Sequence, residues 1–452
     1  MAAESDLLIV GAGAKAAGIA AKVHAFNSLG LGPISLKIVE GTEVAASWKG
    51  LNGMTSGEEP LAVTPIKDIG FPYQSFREFG EAGEAIDEVA IQFSWQRYMV
   101  ARRRYARWID AGSPSVRHRD YGEYLTWALS RATEGVSHVE GRVSRVTLVD
   151  GERWAVEVEE GDGVGSRHLA RALVLTGPGV HRAFPHETAI ASRVFHCDSR
   201  REEFAELPEE SACDVAIVGG GESALSCMMF LRGFRPHSRF TVYTPMLPMS
   251  RGESFLENRV FSNPDEVEWT ALDQTTRRDF VKHSDRGVFD PPSLAAIAYD
   301  DRCRFVTGRI TDVSAARDGA GVRLRHESPE GVAGPEHDYV VNCTGFDLLA
   351  QLRNLFPETT REEIEGRVGQ VWDTPAGTEV PIGRNLELQG MQPRLQIPGL
   401  AGLSQGPGFA NLGALGLLAN RVLQPFYLTS SDLSNRVAKW EKDEWRARVR
   451  TQ

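Results

Sequence analysis

An α/β chain with two Rossmann-like dinucleotide-binding domains, the second inserted in the first, is the fold class this sequence predicts. Three observations carry that expectation. A glycine turn, Gly11-Ala12-Gly13-Ala14-Lys15-Ala16, follows the short apolar run 7–10. A second, Gly219-Gly220-Gly221-Glu222-Ser223-Ala224, follows the run 215–218. Each is succeeded much later by a hairpin pattern and a buried strand that ends in Thr-Gly, at Thr176-Gly177 and at Thr344-Gly345.

The first turn has the chemistry of a pyrophosphate cradle. Such a group is held by backbone N–H groups at the positive end of a helix, so side chains must stay out of the way. Gly11 permits the tight bend, Gly13 the close approach, and small Ala16 lets the helix pack on its strand. The strand predicted over 35–40 ends in Glu40, whose carboxylate suits a ribose diol. Its spacing from the turn exceeds the usual one by a few residues, which the loop at 30–33 absorbs. The hairpin over 143–149 and 154–158 turns at Asp150-Gly151, and the segment 161–167 reads as a loop.

In the second unit Gly219, Gly221, Ser223 and Ala224 repeat the cradle. The strand 240–243 ends in Tyr243-Thr244 rather than in an acid. An acid there would repel a 2′-phosphate, so its absence permits NADPH. Arg232, Arg235, Arg239 and Arg251 are the candidates to meet that phosphate. The strands 310–313 and 322–324 flank Asp318-Gly319, and 339–342 leads back to the first unit. The expected division is a flavin-binding segment 1–205, a nicotinamide-binding segment 206–338 with a substrate-binding helical insert near 250–300, and a second flavin-binding segment 339–452. The tail from 430 reads as a charged amphipathic helix.

Composition narrows the class further. A formal net charge of -11 disfavours nucleic acid as a partner. Arg102, Arg103, Arg104 and Arg107 read as a solvated helix face. Five cysteines, with no C-x-x-C or C-x4-C pair, fit a reducing cytoplasm. No run approaches the ~20 apolar residues of a membrane span. The histidines show no ligand spacing, so no metal is expected. The charged tail could pack on a neighbouring subunit, and a homo-oligomer, dimer or tetramer, is expected.

Among two-dinucleotide flavoproteins, a disulfide reductase requires redox cysteines near the first helix, and no cysteine precedes Cys197. Neither Gly177-Pro178-Gly179-Val180-His181 nor Phe195-His196-Cys197-Asp198 reproduces the Baeyer–Villiger pattern. Other segments carry a resemblance. They are the first glycine turn, Thr64-Pro65-Ile66-Lys67-Asp68-Ile69-Gly70-Phe71-Pro72-Tyr73, Phe93-Ser94-Trp95-Gln96-Arg97-Tyr98, the second glycine turn, Arg251-Gly252-Glu253-Ser254-Phe255-Leu256-Glu257-Asn258, Asp285-Arg286-Gly287-Val288-Phe289, Asn342-Cys343-Thr344-Gly345-Phe346, and Gln405-Gly406-Pro407-Gly408-Phe409-Ala410-Asn411-Leu412. In order and spacing the chain resembles the flavin-dependent N-hydroxylating monooxygenases, the L-lysine N6- and L-ornithine N5-monooxygenases of siderophore biosynthesis. It is most similar to their mycobactin-type lysine branch.

The resemblance implies FAD in the first unit, NADPH in the second, O2 as co-substrate, and N-hydroxylation of a side-chain amine through a C4a-hydroperoxyflavin. No side chain acts as nucleophile; the flavin carries the chemistry. It implies that Lys67 and Asn258 hold the amino-acid end of the substrate, with Asn411 near substrate and flavin. Trp48 and Leu412 fall in flavin-proximal segments, and Thr176, Thr344 and Gly345 lie where the chain meets the cofactors. Three positions depart from the ornithine pattern: Ala62 replaces a glutamine, Tyr243 or Thr244 an arginine, and Gly416 stands near a serine position. Lysine is therefore the expected substrate; ornithine, a diamine or aspartate, and oxygenation of sulfur or carbon, are the alternatives. Without the resemblance, Lys67 and Asp68 read as a surface ion pair, Asn258 as a cap or turn residue, and Met246 and Met249 as packing.

Overall fold

Short apolar runs flanked by glycine turns give buried parallel strands, and the computed structural model contains two sheets built from them. It describes residues 4–52, 55–161, 165–199, 201–204, 207, 212–252, 254–285, 288–317, 319–372 and 380–427. The expected tail helix lies outside these residues, as does Asp318 of the second predicted turn.

The first sheet runs in the order Val136–Glu140, Leu36–Glu40, Ser5–Val10, Gly165–Leu175, Arg153–Glu159, Arg142–Val149, with Arg394–Gln396 also pairing Gly165–Leu175. Ser5–Val10 is parallel to Leu36–Glu40 and to Gly165–Leu175. The hairpin turns with positive φ at both Asp150 and Gly151, as a two-residue turn of matching twist requires. The segment 161–167 is only partly a loop. The strand Gly165–Leu175 starts inside it, because Ser166 and Arg167 pair antiparallel with Val158 and Glu157.

The helix Ala14–Ser28 is buried on nearly every side. Its alanines allow close approach by the helices Leu415–Leu423, Ala82–Ala90 and His118–Arg131. A helix apolar all round belongs in a core; its one buried ammonium, Lys22, is met by Asp87 at 2.7 Å.

The second sheet is wholly parallel: Cys303–Thr307, Arg239–Thr244, Asp214–Val218, Tyr339–Asn342, Val194–His196. It reaches beyond the segment 206–338 at both ends, taking Val194–His196 before it and Tyr339–Asn342 after it. The two crossings between the units, Val180–His181 and Phe346–Asp347, pair antiparallel. A smaller antiparallel sheet holds Arg309–Ala315 and Val322–Ser328.

The helical insert divides its contacts. Pro291–Ala298 packs on Glu222–Phe234 of the second unit. The part before it leans on the first unit. Trp269 Nε1 donates to Leu403 O at 2.8 Å, and Asp265 accepts from buried Arg421 at 2.6 Å and from Arg384 at 3.2 Å. The insert is thus contiguous in sequence with the nicotinamide segment but is partly seated on the flavin segment. No helix among the described residues is long and apolar enough to cross a membrane.

Candidate functional site

The first glycine turn is held by its neighbours in a shape that excludes side chains. Gly11 has φ +96, and a Cβ there would stand 2.7 Å from Thr176 Oγ1. Thr176 Oγ1 donates to Val10 O at 2.8 Å, which ties the Thr-Gly strand end to the turn. A Cβ on Gly13 would meet nothing within 4 Å, so the turn opens onto space beside the start of the helix Ala14–Ser28. Ala16 is fully buried against the strand. Glu40 folds toward the turn: Oε2 accepts from Ala12 N at 2.7 Å and Oε1 from Thr42 N at 3.0 Å. Ala45 N donates to Ala12 O at 3.1 Å. That bond anchors the one-turn helix Ala46–Lys49, whose Trp48 packs edge-on against Tyr121 and His118. The open face at Gly13, the helix start and the tethered carboxylate suit the pyrophosphate and ribose of a dinucleotide.

The second turn has the same backbone but a different electrostatic setting. Gly219 has φ +150, and a Cβ would overlap Cys343 O at 2.3 Å. Gly221 precedes the helix Glu222–Phe234, and Ala224 is buried against the sheet, with Ser223 beside it half-exposed. Thr344 N and Oγ1 donate to Asn342 Oδ1 at 3.1 and 2.7 Å, and Gly345 has φ +100. At the neighbouring strand end Tyr243 is buried and bonded to His337 Nε2 at 2.8 Å, and Thr244 is buried too, so neither presents a charge. Of the four candidate arginines, Arg232 is paired with Asp300 at 2.7 Å. Arg235 is buried on the carbonyls of Leu207 and Phe234. Arg239 starts its strand, at the end away from the glycine turn. Arg251 borders the turn: Nη1 lies 3.4 Å from Glu222 Oε1, and Nη2 donates to Ala62 O of the first unit at 2.7 Å.

Between the turns lies the expected substrate end. Lys67 Nζ donates to Asn258 Oδ1 at 2.7 Å, across 191 positions of sequence. Asn258 stands on the helix Phe255–Ser262, which a capping box from Ser254 and Glu257 starts. It is not a cap itself; its Nδ2 donates to Ser254 O at 3.2 Å. The glycines of 406–413 let this helix come close. A Cβ on Gly408 would strike Phe261 O at 2.1 Å, and one on Gly413 would crowd Phe261 Cβ at 3.1 Å. Asn411, carried by that segment, donates to Asp285 Oδ1 at 2.9 Å and accepts from Gly413 N at 2.7 Å. Ala410 O accepts from Lys15 Nζ of the first turn at 3.1 Å. Leu412 packs against the first core. The packing thus joins the first turn, Asn411 and the Lys67–Asn258 pair.

Three expectations change. Asp68 is not half of a surface ion pair with Lys67. It is 3% exposed, and its carboxylate accepts from Gly70 N, Tyr73 Oη and Trp95 N. Met246 and Met249 are exposed rather than packed; both lie in the connection between the strand Arg239–Thr244 and the helix Phe255–Ser262. Two histidines and a carboxylate do gather, His181, His196 and Glu187, beside the crossings between the units. There His196 Nε2 meets Glu187 Oε1 at 2.5 Å and the two imidazoles stack at 3.5 Å. Sequence reasoning missed Asp285 and Lys15, although both lie in segments singled out for the resemblance. It also missed Asp68; the signal was a carboxylate in a run of apolar and turn residues.

The family model described as L-lysine 6-monooxygenase/L-ornithine 5-monooxygenase matches residues 88–348. The chain is 35% identical over 426 residues to the L-lysine N6-monooxygenase MbtG of Mycolicibacterium paratuberculosis, covering 93% of this chain and 95% of that protein. Among solved structures it is similar to the lysine monooxygenase NbtG from Nocardia farcinica, with a TM-score of 0.77 and 33% identity over 92% of this chain and 98% of that one. The ornithine N-hydroxylase KtzI of Kutzneria sp. 744 shares the fold at a TM-score of 0.73 and 18% identity, over 94% and 99% of the two chains.

Proposed function

The chain belongs to the L-lysine 6-monooxygenase/L-ornithine 5-monooxygenase family, and on that premise we propose that it N-hydroxylates the side-chain amine of L-lysine with FAD, NADPH and O2. The observation that carries the reading is the 2.7 Å contact between Lys67 Nζ and Asn258 Oδ1, which brings the two amino-acid-binding candidates together from different units.

Each part of the site has a task in that reaction. The flavin, when bound, supplies the electrophilic oxygen; that chemistry is the cofactor's own. Gly11, Gly13 and Ala16 hold its pyrophosphate, Glu40 its ribose, and Trp48, Thr176 and Leu412 its surroundings. Gly219, Gly221, Ser223 and Ala224 hold the nicotinamide dinucleotide, with Thr344 and Gly345 at the return to the first unit. We assign a phosphate of that cofactor to Arg251, the one of the four candidate arginines beside the turn. Lys67 Nζ and Asn258 Nδ2 are donors for the substrate α-carboxylate. Fixing that end sets how far the terminal nitrogen reaches, so chain length becomes the basis of selection. The reacting amine must be neutral, although its ordinary pKa is about 10.4. Removing water from around the amine favours the neutral form.

The flavin-binding segments are read as 1–205 and 339–452 around the nicotinamide-binding 206–338, with Val194–His196 and Tyr339–Asn342 from the flanking segments pairing in the second sheet. Five cysteines, none in a disulfide, are in keeping with a cytoplasmic enzyme. A homo-oligomer remains our reading of its assembly.

The test is mass spectrometry of the products formed from L-lysine, L-ornithine and short diamines with NADPH, FAD and O2. N6-hydroxylysine is the expected main product. Absence of a hydroxylamine from every amine overturns the reaction; equal yields from all of them overturn the substrate.

A further inference from the structure

Asp68 sits next to Lys67 in sequence but faces the opposite way. Oδ1 accepts from Gly70 N at 3.0 Å and Tyr73 Oη at 2.7 Å; Oδ2 accepts from Trp95 N at 2.8 Å. Trp95 N is the first N–H of the helix Trp95–Ala101. The loop from Thr64 to Tyr73 is a chain of tight turns: Lys67 N to Thr64 O, Phe71 N to Asp68 O, Tyr73 N to Gly70 O. Tyr73 has φ +56, a left-handed conformation that a tyrosine adopts only when its surroundings hold it there. The surroundings are close. A Cβ on Gly416 would overlap Gly70 O at 2.0 Å, and Gly416 N donates to Phe71 O at 2.7 Å. Ile69 N lies 3.4 Å from Tyr124 Oη, which in turn donates to Phe93 O at 2.8 Å.

We propose that Asp68 is the positioning residue of the substrate site: its carboxylate pins the 64–73 loop to the flavin-side core and so fixes where Lys67 meets the substrate carboxylate. The proposal rests on the reading of Lys67 as a substrate ligand. Two donors of the loop itself, Gly70 N and Tyr73 Oη, and one from outside it, Trp95 N, converge on one buried carboxylate, and Lys67 is its neighbour in sequence. A shift of that anchor moves the Lys67 ammonium relative to Asn258. Gly416 N and Tyr124 Oη hold the far side of the same loop, while Asn258 stands on a separate helix started by the Ser254–Glu257 capping box.

The test compares Asp68→Asn and Tyr73→Phe with the parent holoenzyme. Asparagine keeps an acceptor for Gly70 N and Tyr73 Oη but turns an N–H toward Trp95 N. The KM for the amino acid is expected to rise at least about tenfold in Asp68→Asn, with the KM for NADPH within about twofold and more NADPH oxidised per product formed. Tyr73→Phe removes one donor, and a KM rise of about two- to fivefold is expected. A merely structural role lowers thermal stability and flavin content and leaves the amino-acid KM alone. That pattern overturns the proposal, and so does an unchanged KM in Tyr73→Phe if Asp68→Asn does not fold. A parent enzyme that hydroxylates no amine refutes the proposed function instead, so the two failures are distinct.

Discussion

The two glycine turns share a backbone and differ in how they satisfy their acids. On the flavin side two carboxylates are met by neutral donors inside the fold. Glu40 takes backbone N–H groups of Ala12 and Thr42; Asp68 takes Gly70 N, Trp95 N and the Tyr73 phenol. On the nicotinamide side two others are met by guanidinium groups. Glu222 faces Arg251, and Asp300 lies between Arg232 and Arg302. The titration of the two differs in cause. Burial pushes Asp68 up to about 6, whereas the Arg302 hydrogen bond holds Asp300 well below the usual carboxylate range. Neutral donors make a fixed, dry fit that salt does not screen; partly exposed ion pairs make one that salt weakens in proportion to their exposure. A cofactor that stays belongs with the first arrangement, and one that comes and goes with the second.

The largest expected effect tests that separation directly. Gly11→Val places a branched side chain at φ +96 and against Thr176 Oγ1, so flavin content is expected to fall below about a tenth of the parent's. Gly219→Ala, with its clash on Cys343 O, should raise the KM for NADPH and leave flavin bound. Flavin absorbance per mole of protein reads both. Loss of flavin from Gly219→Ala would break the comparison, because the two turns would then not be independent.

Much of this was legible in the sequence for a physical reason. A pyrophosphate cradle excludes side chains at fixed spacings, so Gly11, Gly13, Gly219 and Gly221 announce themselves, and the repeated Thr-Gly ends mark the strands beside them. The 191-residue contact between Lys67 and Asn258 was reachable only through resemblance, since no local pattern encodes a meeting of distant segments. Asp68 was misread because charge next to charge looks like an ion pair, whereas the loop turns alternate residues to opposite sides. The insert was assigned by its place in the chain. Its packing depends on Asp265, Arg384 and Arg421, which only the folded molecule brings together.

The next effect in size is borne by pH. Asp68 titrates near 6 in the folded protein against 3.8 ordinarily, because burial disfavours its charge. A raised folded value means that this contribution to stability is fully present below about pH 4 and is lost as pH rises through about 6, a cost of roughly 3 kcal/mol. Asp68→Asn removes the titration. The difference in unfolding free energy between parent and variant should therefore move in the variant's favour from pH 4 to pH 7, as urea unfolding at the two values would measure. A difference independent of pH would place the carboxylate in contact with water and weaken the contrast between the two sides.

Arg251→Ala is expected to act on the other side alone. A charge-assisted contact to phosphate is worth about 1.5–3 kcal/mol, so the KM for NADPH should rise about tenfold or more. Flavin content and the KM for the amino acid should stay near the parent's. Raising the ionic strength should weaken the parent's NADPH binding in the same direction. A variant with normal NADPH kinetics would remove Arg251 from the cofactor site.

Glu222 gives the smallest effect and the finest distinction. It stands in the first turn of the helix Glu222–Phe234, where an anion complements the helix dipole, and it shares Arg251 at 3.4 Å. An incoming dinucleotide phosphate seeks the same helix start and the same guanidinium, so Glu222 competes with it. Glu222→Gln should cost about 0.5 kcal/mol in stability through the lost dipole interaction. The same change should lower the KM for NADPH about two- to threefold, because the phosphate no longer meets a like charge. The two signs are opposite, and that opposition is the informative result. A rise in the NADPH KM would mean that Glu222 aims Arg251 at the phosphate instead of competing for it, and the nicotinamide turn would then be as preorganised as the flavin turn.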